Sequence, residues 1–162
     1  MKLNIIITVF LVTSGMIVFG QKNKKDVNKS EFYAAMASES LDSINALLDI
    51  ISKSSINNKD AFEGVLLMKK AGLVSGLSTK YKLFKSGQKK LESAIAKESE
   101  NTEFRFFRLM IQENAPGILN YSSQIDEDSQ LIRAGYKNLP QVVQMAITSY
   151  TKKSNVLKPE SF

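Results

Sequence analysis

Apolar residues recur three and four positions apart along most of this chain, the spacing that places side chains on one face of a helix. The pattern predicts one helix over residues 41–51 and another over residues 59–73. The apolar face of the second includes Gly64, although glycine costs about 1 kcal/mol in a helix interior. We therefore expect a neighbouring helix to pass close to it. Little of the chain alternates apolar and polar residues as a strand does, so the predicted fold class is all-α.

The clearest amphipathic segment covers residues 80–97. Its apolar side consists of Tyr81, Phe84, Gly87, Leu91, Ala94 and Ile95. The opposite side is rich in lysine and serine, with Glu92 at its edge, and carries Lys82, Lys85, Lys89 and Lys90. Such a face is either a solvated surface or a binding surface for an anionic partner. These four lysines are the candidate binding face.

The segment from Asn101 to Pro116 is apolar around most of its circumference, which predicts a central helix covered on several sides. Pro116 marks its end because the residue before a proline avoids the helical conformation. Four charged residues interrupt the apolar surface: Glu103, Arg105, Arg108 and Glu113. Buried carboxylates are costly when unpaired, so the favoured interpretation is a structural polar network. The alternative is a ligand or catalytic pocket built from the same residues.

Shorter signals define the remaining elements. Ser30 is predicted to cap a first short helix, and Ser123 with Asp126 resembles the capping box of a later one. Pro140 is predicted to open the last helix. These elements form a single-domain antiparallel array of about six to seven helices. The tail over residues 152–162 is predicted to be polar and loose, with docking of its apolar residues as the alternative.

The amino-terminal stretch Leu3–Gly20 carries no charge and ends at a polar run that begins with Gln21. Its apolar centre would span about 22 Å as a helix, against about 30 Å for a bilayer core. A cleaved signal peptide is therefore favoured over a permanent anchor. Cleavage near Gly20 would give a periplasmic or secreted protein.

The predicted organisation is a signal peptide over residues 1–20, a basic linker over residues 21–29 and a helical domain over residues 30–151, followed by the tail. Positive charge normally prefers the cytoplasmic side of a membrane. The lysines of the linker therefore keep a second interpretation open, in which the leader is an uncleaved amino-terminal membrane anchor.

The chain contains no histidine and no cysteine. This excludes histidine-dependent triads, cysteine nucleophiles, disulfides and ordinary zinc sites, and we predict neither metal nor cofactor. The net charge of +6 is unevenly distributed, because residues 69–97 hold eight lysines and one acid whereas residues 98–128 hold seven acids and two arginines. A basic surface suits an anionic partner. Nucleic acid is not expected, because the lysine side of the helix over residues 80–97 carries no interleaved aromatic residues.

Three stretches of the chain resemble a group of small exported all-helical proteins of Gram-negative bacteria that have no assigned activity. They are Leu67–Gly72, Lys89–Ile95 and Glu103–Pro116. The resemblance implies an exported helical protein and supplies no catalytic residues. The helix around Gly87 is also similar to the second half of a tetratricopeptide repeat, with Ser99 where that repeat usually has proline. This second likeness implies a tetratricopeptide-like array.

Together these features predict a non-enzymatic helical binding or scaffolding module of the cell envelope. Its predicted partner is an unknown envelope protein or an anionic envelope component, reached through the lysine face or an apolar groove, with peripheral membrane contact as one form. A factor that assembles or stabilises another exported protein would share these features. The alternative is a carboxylate-dependent cell-wall glycan hydrolase in which Glu103 or Glu113 is the acid.

Overall fold

The computed structural model describes residues 27–162, so the predicted leader and the linker up to residue 26 lie outside the described residues. The described part contains seven α-helices: α1 (Lys29–Ala37), α2 (Leu41–Lys53), α3 (Lys59–Leu73), α4 (Leu77–Lys97), α5 (Thr102–Gln112), α6 (Ile125–Gly135) and α7 (Gln141–Tyr150). Short 3-10 turns lie at Gly117–Leu119, Tyr136–Asn138 and Pro159–Ser161. The prediction of an all-α single domain with antiparallel packing is confirmed. Within residues 27–162, no helix has the combination of length and hydropathy that a membrane crossing requires.

Helix boundaries follow the periodicity closely in α3, which occupies the predicted residues. The predicted start of α4 at residue 80 is wrong, because the helix begins at Leu77. Gly76 precedes it with a φ of 86°, a conformation that glycine adopts without steric cost and that turns the chain into the helix.

Two predicted helix caps are wrong. The first helix is capped by Asn28 rather than Ser30, and the Asn28 side-chain oxygen accepts from the N–H three residues on at 3.3 Å. The capping box at Ser123 is not formed, because Gln124 occupies the N-cap position and no side chain caps the helix there. The Gln124 amide oxygen instead accepts from Gln112 of α5 at 2.7 Å. Tertiary contact has taken precedence over local capping at this end of α6.

α3 and α4 approach each other through their backbones at two glycines. A Cβ atom on Gly64 would lie 2.7 Å from the backbone nitrogen of Leu91 and 2.8 Å from the carbonyl oxygen of Gly87. A Cβ atom on Gly87 would lie 2.4 Å from the carbonyl oxygen of Gly64. The expected close approach of a neighbouring helix is confirmed at Gly64. Gly72 has a different environment, since a Cβ atom there would have no neighbour within 4 Å.

α5 is the central helix, as its apolar circumference predicts. Its buried apolar side chains are each at most 2 % exposed: Phe104, Phe106, Phe107 and Leu109. The Phe107 ring contacts Phe32 of α1 and Phe62 of α3, with centroid distances of 5.2 and 5.3 Å. Full burial of one such side chain stabilises a fold by about 1.5–3 kcal/mol. This aromatic cluster joins the first, third and fifth helices into one core.

The carboxyl-terminal segment packs against the helices. The prediction of a loose tail is therefore wrong, and the alternative, docking of its apolar residues, is confirmed. Leu157 is fully buried. The Glu113 carboxylate accepts from Ser154 and from the backbone N–H of Asn155, both at 2.7 Å. Arg133 of α6 donates to the carbonyl oxygen of Val156 at 2.7 Å. Polar anchors at the end of α5 and on α6 therefore hold a segment whose composition is mostly polar.

Candidate functional site

Three of the four lysines predicted as the binding face point into solvent from α4. Lys82, Lys85 and Lys89 are exposed. Lys85 donates to the side-chain oxygen of Gln88 at 2.7 Å, within the same helix. None of the three forms an ion pair within residues 27–162. Their charges are therefore not neutralised by another described side chain.

Lys90 does not share this environment. Its ammonium group pairs with Asp60 at 2.8 Å and with Glu63 at 2.9 Å, both on α3. The hydrogen bond with Asp60, together with that of Glu63, raises the pKa of Lys90 above its usual range, and the same bond lowers the pKa of Asp60. Lys90 is thus a half-exposed bridge between α3 and α4, and its charge is paired, unlike those of the other three lysines.

Glu92 is the only acid within α4, and it turns towards the domain. Its carboxylate accepts from Arg108 at 2.9 Å and from the Tyr121 hydroxyl. Burial, followed by the hydrogen bond to Glu92, raises the pKa of Tyr121 far above its ordinary value. Because this acid is used internally, the outward face of α4 carries the three lysines without a carboxylate. We call Lys82, Lys85 and Lys89 the α4 lysine face.

The two arginines of α5 bind a buried aspartate of α6. Arg108 contacts Asp128 through two bonds of 2.7 Å, and Arg105 contacts it at 3.0 Å. Asp128 is fully buried. Burial alone would lower the pKa of Arg108, but the hydrogen bond and charge of Asp128, with Glu92, raise it above its ordinary value. This bidentate, charge-assisted geometry is the strong form of ion pair and joins α5 to α6.

Glu103 and Glu113 lie apart from those arginines, so the four predicted network residues do not form one network. Glu103 accepts from the Tyr33 hydroxyl at 2.8 Å and pairs with Lys29, which anchors α1. Burial, with the charge of Glu103, raises the pKa of Tyr33. Glu113 instead binds the carboxyl-terminal segment. The expectation that each carboxylate needs a partner from another part of the fold is met, with a donor on all four oxygens.

Sequence reasoning missed the acids that complete these contacts. Asp128 lies in the first turn of α6, where an acid also suits the helix dipole, so its sequence position gives no sign of a partner. The spacing of three between Arg105 and Arg108 was a signal that one acid could serve both. Asp60 and Glu63 carried no signal beyond their spacing on α3. In each case the partner is set by tertiary packing.

An apolar groove of about 360 Å³ lies between α1, α5 and α7. Its lining includes Met36, Ala37, Phe106, Met110, Met145 and Ala146. Methionine side chains adapt in shape and are common at adaptable binding surfaces. The sequence pattern could not locate this groove, since it is assembled from three helices far apart in the chain.

No known family model, curated protein or solved structure matches this chain. The structure shows an all-helical domain, and tetratricopeptide character is not shown. Among residues 27–162, acidic side chains do not gather in groups of three that could hold a metal ion.

Proposed function

We propose that the protein is a non-enzymatic binding module of the cell envelope, which attaches to an anionic envelope component through the α4 lysine face. Its export is part of the proposal and is supported by the uncharged stretch Leu3–Gly20 and the polar run after it. The resemblance to small exported helical proteins of Gram-negative bacteria supports the same location.

One observation carries the proposal: Lys82, Lys85 and Lys89 on the outward face of α4 are exposed, while the only acid of this helix and Lys90 are used in contacts inside the domain. A lysine near an anionic surface contributes about 1 kcal/mol. The three residues would therefore supply about 3 kcal/mol, or about a hundredfold in affinity. Such binding weakens with salt, because exposed charges are screened beyond about 10 Å at 0.1 M.

The contacts of the candidate carboxylates support a non-enzymatic role. A glycoside hydrolase needs a carboxylic acid that can give up its proton beside a second carboxylate. The oxygens of Glu103 and Glu113 instead accept hydrogen bonds that anchor α1 and the carboxyl-terminal segment. The chain also has neither histidine nor cysteine to replace them.

The test compares two triple variants with the same change in net charge. In the first, Lys82, Lys85 and Lys89 are replaced by glutamate. The control replaces the exposed residues Lys137, Lys152 and Lys158, which lie outside α4. At low salt the first variant should lose its sedimentation with purified bacterial envelopes, and the control should keep it. Equal binding by the two variants would refute the assignment to α4.

Export is tested separately, by measuring the mass of the amino terminus of the protein in envelope fractions. A chain that begins at Gln21 supports cleavage of the leader. An intact Met1 in a membrane fraction would support the anchored alternative, and recovery in the cytoplasm would refute the envelope assignment.

A further inference from the structure

Two large apolar side chains at the start of α4 are exposed to solvent. Leu77 is 87 % exposed and Tyr81 is 57 % exposed. Single exposed apolar residues are normal on protein surfaces and need no explanation. These two are different because they lie one helical turn apart, on the same helix as the unpaired lysines.

Helix geometry joins the two apolar residues to the lysines. Residues four apart on a helix are turned by about 40° and displaced by about 6 Å from one another. Leu77, Tyr81, Lys85 and Lys89 therefore form one stripe about 18 Å long that winds by about 120° around the helix axis. The predicted position of Tyr81 on the buried side, opposite the lysines, is wrong, because its side chain is exposed. This α4 stripe is apolar at its amino-terminal end and cationic along the rest.

The connection between α5 and α6 covers the neighbouring part of α4 but not its first two turns. The Tyr121 ring packs edge-on against Phe84 at 5.6 Å between centroids, and its hydroxyl donates to Glu92 further along α4. Leu77 and Tyr81 lie before Phe84, beyond this contact. On the covering segment itself, Ile118 is 93 % exposed. The uncovered apolar side chains of α4 therefore adjoin the lysines without being shielded by the rest of the fold.

We infer that the α4 stripe attaches the protein to the headgroup surface of an anionic phospholipid membrane, with Leu77 and Tyr81 entering the interface beside the lysines. The inference rests on the proposed function and names its partner. An anionic glycan offers charge for the lysines and sugar faces on which an aromatic ring can stack, but it offers no apolar layer for Leu77. A membrane offers anionic headgroups for lysine and a boundary layer where leucine and tyrosine are stable.

The first experiment uses the absence of tryptophan from the chain. Tyr81→Trp introduces a single fluorescent reporter within the α4 stripe. With vesicles of phosphatidylglycerol and phosphatidylcholine, its emission should shift to shorter wavelength and be quenched by brominated acyl chains. Heparin, which has no apolar part, should bind without producing the shift. Ile50→Trp is the matched control because Ile50 is 59 % exposed on α2, and it should show no shift.

The second experiment measures partition onto the same vesicles. Replacing Leu77 and Tyr81 together by serine should lower the partition coefficient about tenfold and leave heparin binding unchanged. The control replaces Ile50 and Met145, two other exposed apolar residues, by serine and should change neither. The leader contributes equally to every full-length variant, so it cancels from the comparison.

The outcomes separate the inference from the proposed function. The inference is overturned if Tyr81→Trp shows no shift and the Leu77 and Tyr81 serine variant partitions like wild type, while reversal of the α4 lysine face abolishes binding to vesicles and heparin. In that case the proposed function still stands. If that reversal leaves both kinds of binding intact, the proposed function fails. Cross-linking of position 81 to an envelope protein without any vesicle response would overturn the inference in favour of a protein partner.

Discussion

Replacing Gly64 by alanine tests whether the crossing of α3 and α4 is as close as the structure shows. The added Cβ atom would lie 2.7 and 2.8 Å from two backbone atoms of α4. Backbone atoms in the middle of a long helix cannot rotate away as a side-chain end can. The two helices must therefore separate, and the apolar contacts on both sides of the crossing loosen with them.

The magnitude follows from two opposing terms. Overpacking a tight interior contact costs about 1–3 kcal/mol, and the separation here places the cost at the upper end. Alanine returns up to about 1 kcal/mol of helix propensity. We expect Gly64→Ala to lower the free energy of unfolding by about 2 kcal/mol. For a chain of this size, that corresponds to a fall of roughly 4–8 °C in Tm.

Gly72→Ala is the matched control in the same helix. A Cβ atom at Gly72 would have no neighbour within 4 Å, so only the propensity term operates. We expect a gain of about 0.5–1 kcal/mol. Both variants can be followed by circular dichroism during thermal and urea unfolding. The reasoning is refuted if Gly64→Ala unfolds at or above the temperature of Gly72→Ala.

Two further predictions concern the buried polar groups. Asp128→Asn should destabilise the fold by about 3 kcal/mol in urea unfolding, because it leaves two buried guanidinium groups without their shared counter-charge. The control Glu127→Gln, at an exposed partner of Arg105, should cost less than about 1 kcal/mol. Equal effects of the two substitutions would contradict this prediction. The pKa values of Tyr33, Tyr121 and Tyr150 are raised in the folded protein, so the unfolded chain loses these protons at lower pH. The free energy of unfolding should therefore fall as the pH rises above about 10, by about 1.4 kcal/mol per pH unit for each tyrosine. Tyr121→Phe should reduce that slope by one tyrosine, and an unchanged slope would contradict the assignment.

Much of the fold could be predicted from the sequence because the helices carry their own periodicity. The central position of α5 followed from its apolar circumference, and the close approach at Gly64 followed from an otherwise costly glycine. Each feature depends on the residues of one helix alone, so it could be predicted without knowing which helix packs against it.

The partners of the polar residues could not be predicted in the same way. Lys90 lies at the boundary between the two sides of α4, and its direction is decided by Asp60 and Glu63, which come from the preceding helix. Glu113 is satisfied by Ser154 and Asn155, more than one helix away along the chain. Such choices depend on how helices are placed, which local patterns do not encode.

The contact between Gly64 and Gly87 also fixes the rotation of α4 about its own axis. A turn by one residue is about 100°, and it would replace Gly87 at the crossing by the side chain of Ser86 or Gln88. No gradual rotation is available between these settings, because only a glycine fits against the Gly64 carbonyl group. The buried glycine contact thus sets the azimuth of α4, and this rotation decides which residues of the helix face a partner. Surface residues of this helix can change without altering the fold, while a side chain at either glycine would separate the helices and loosen the contact that sets the azimuth.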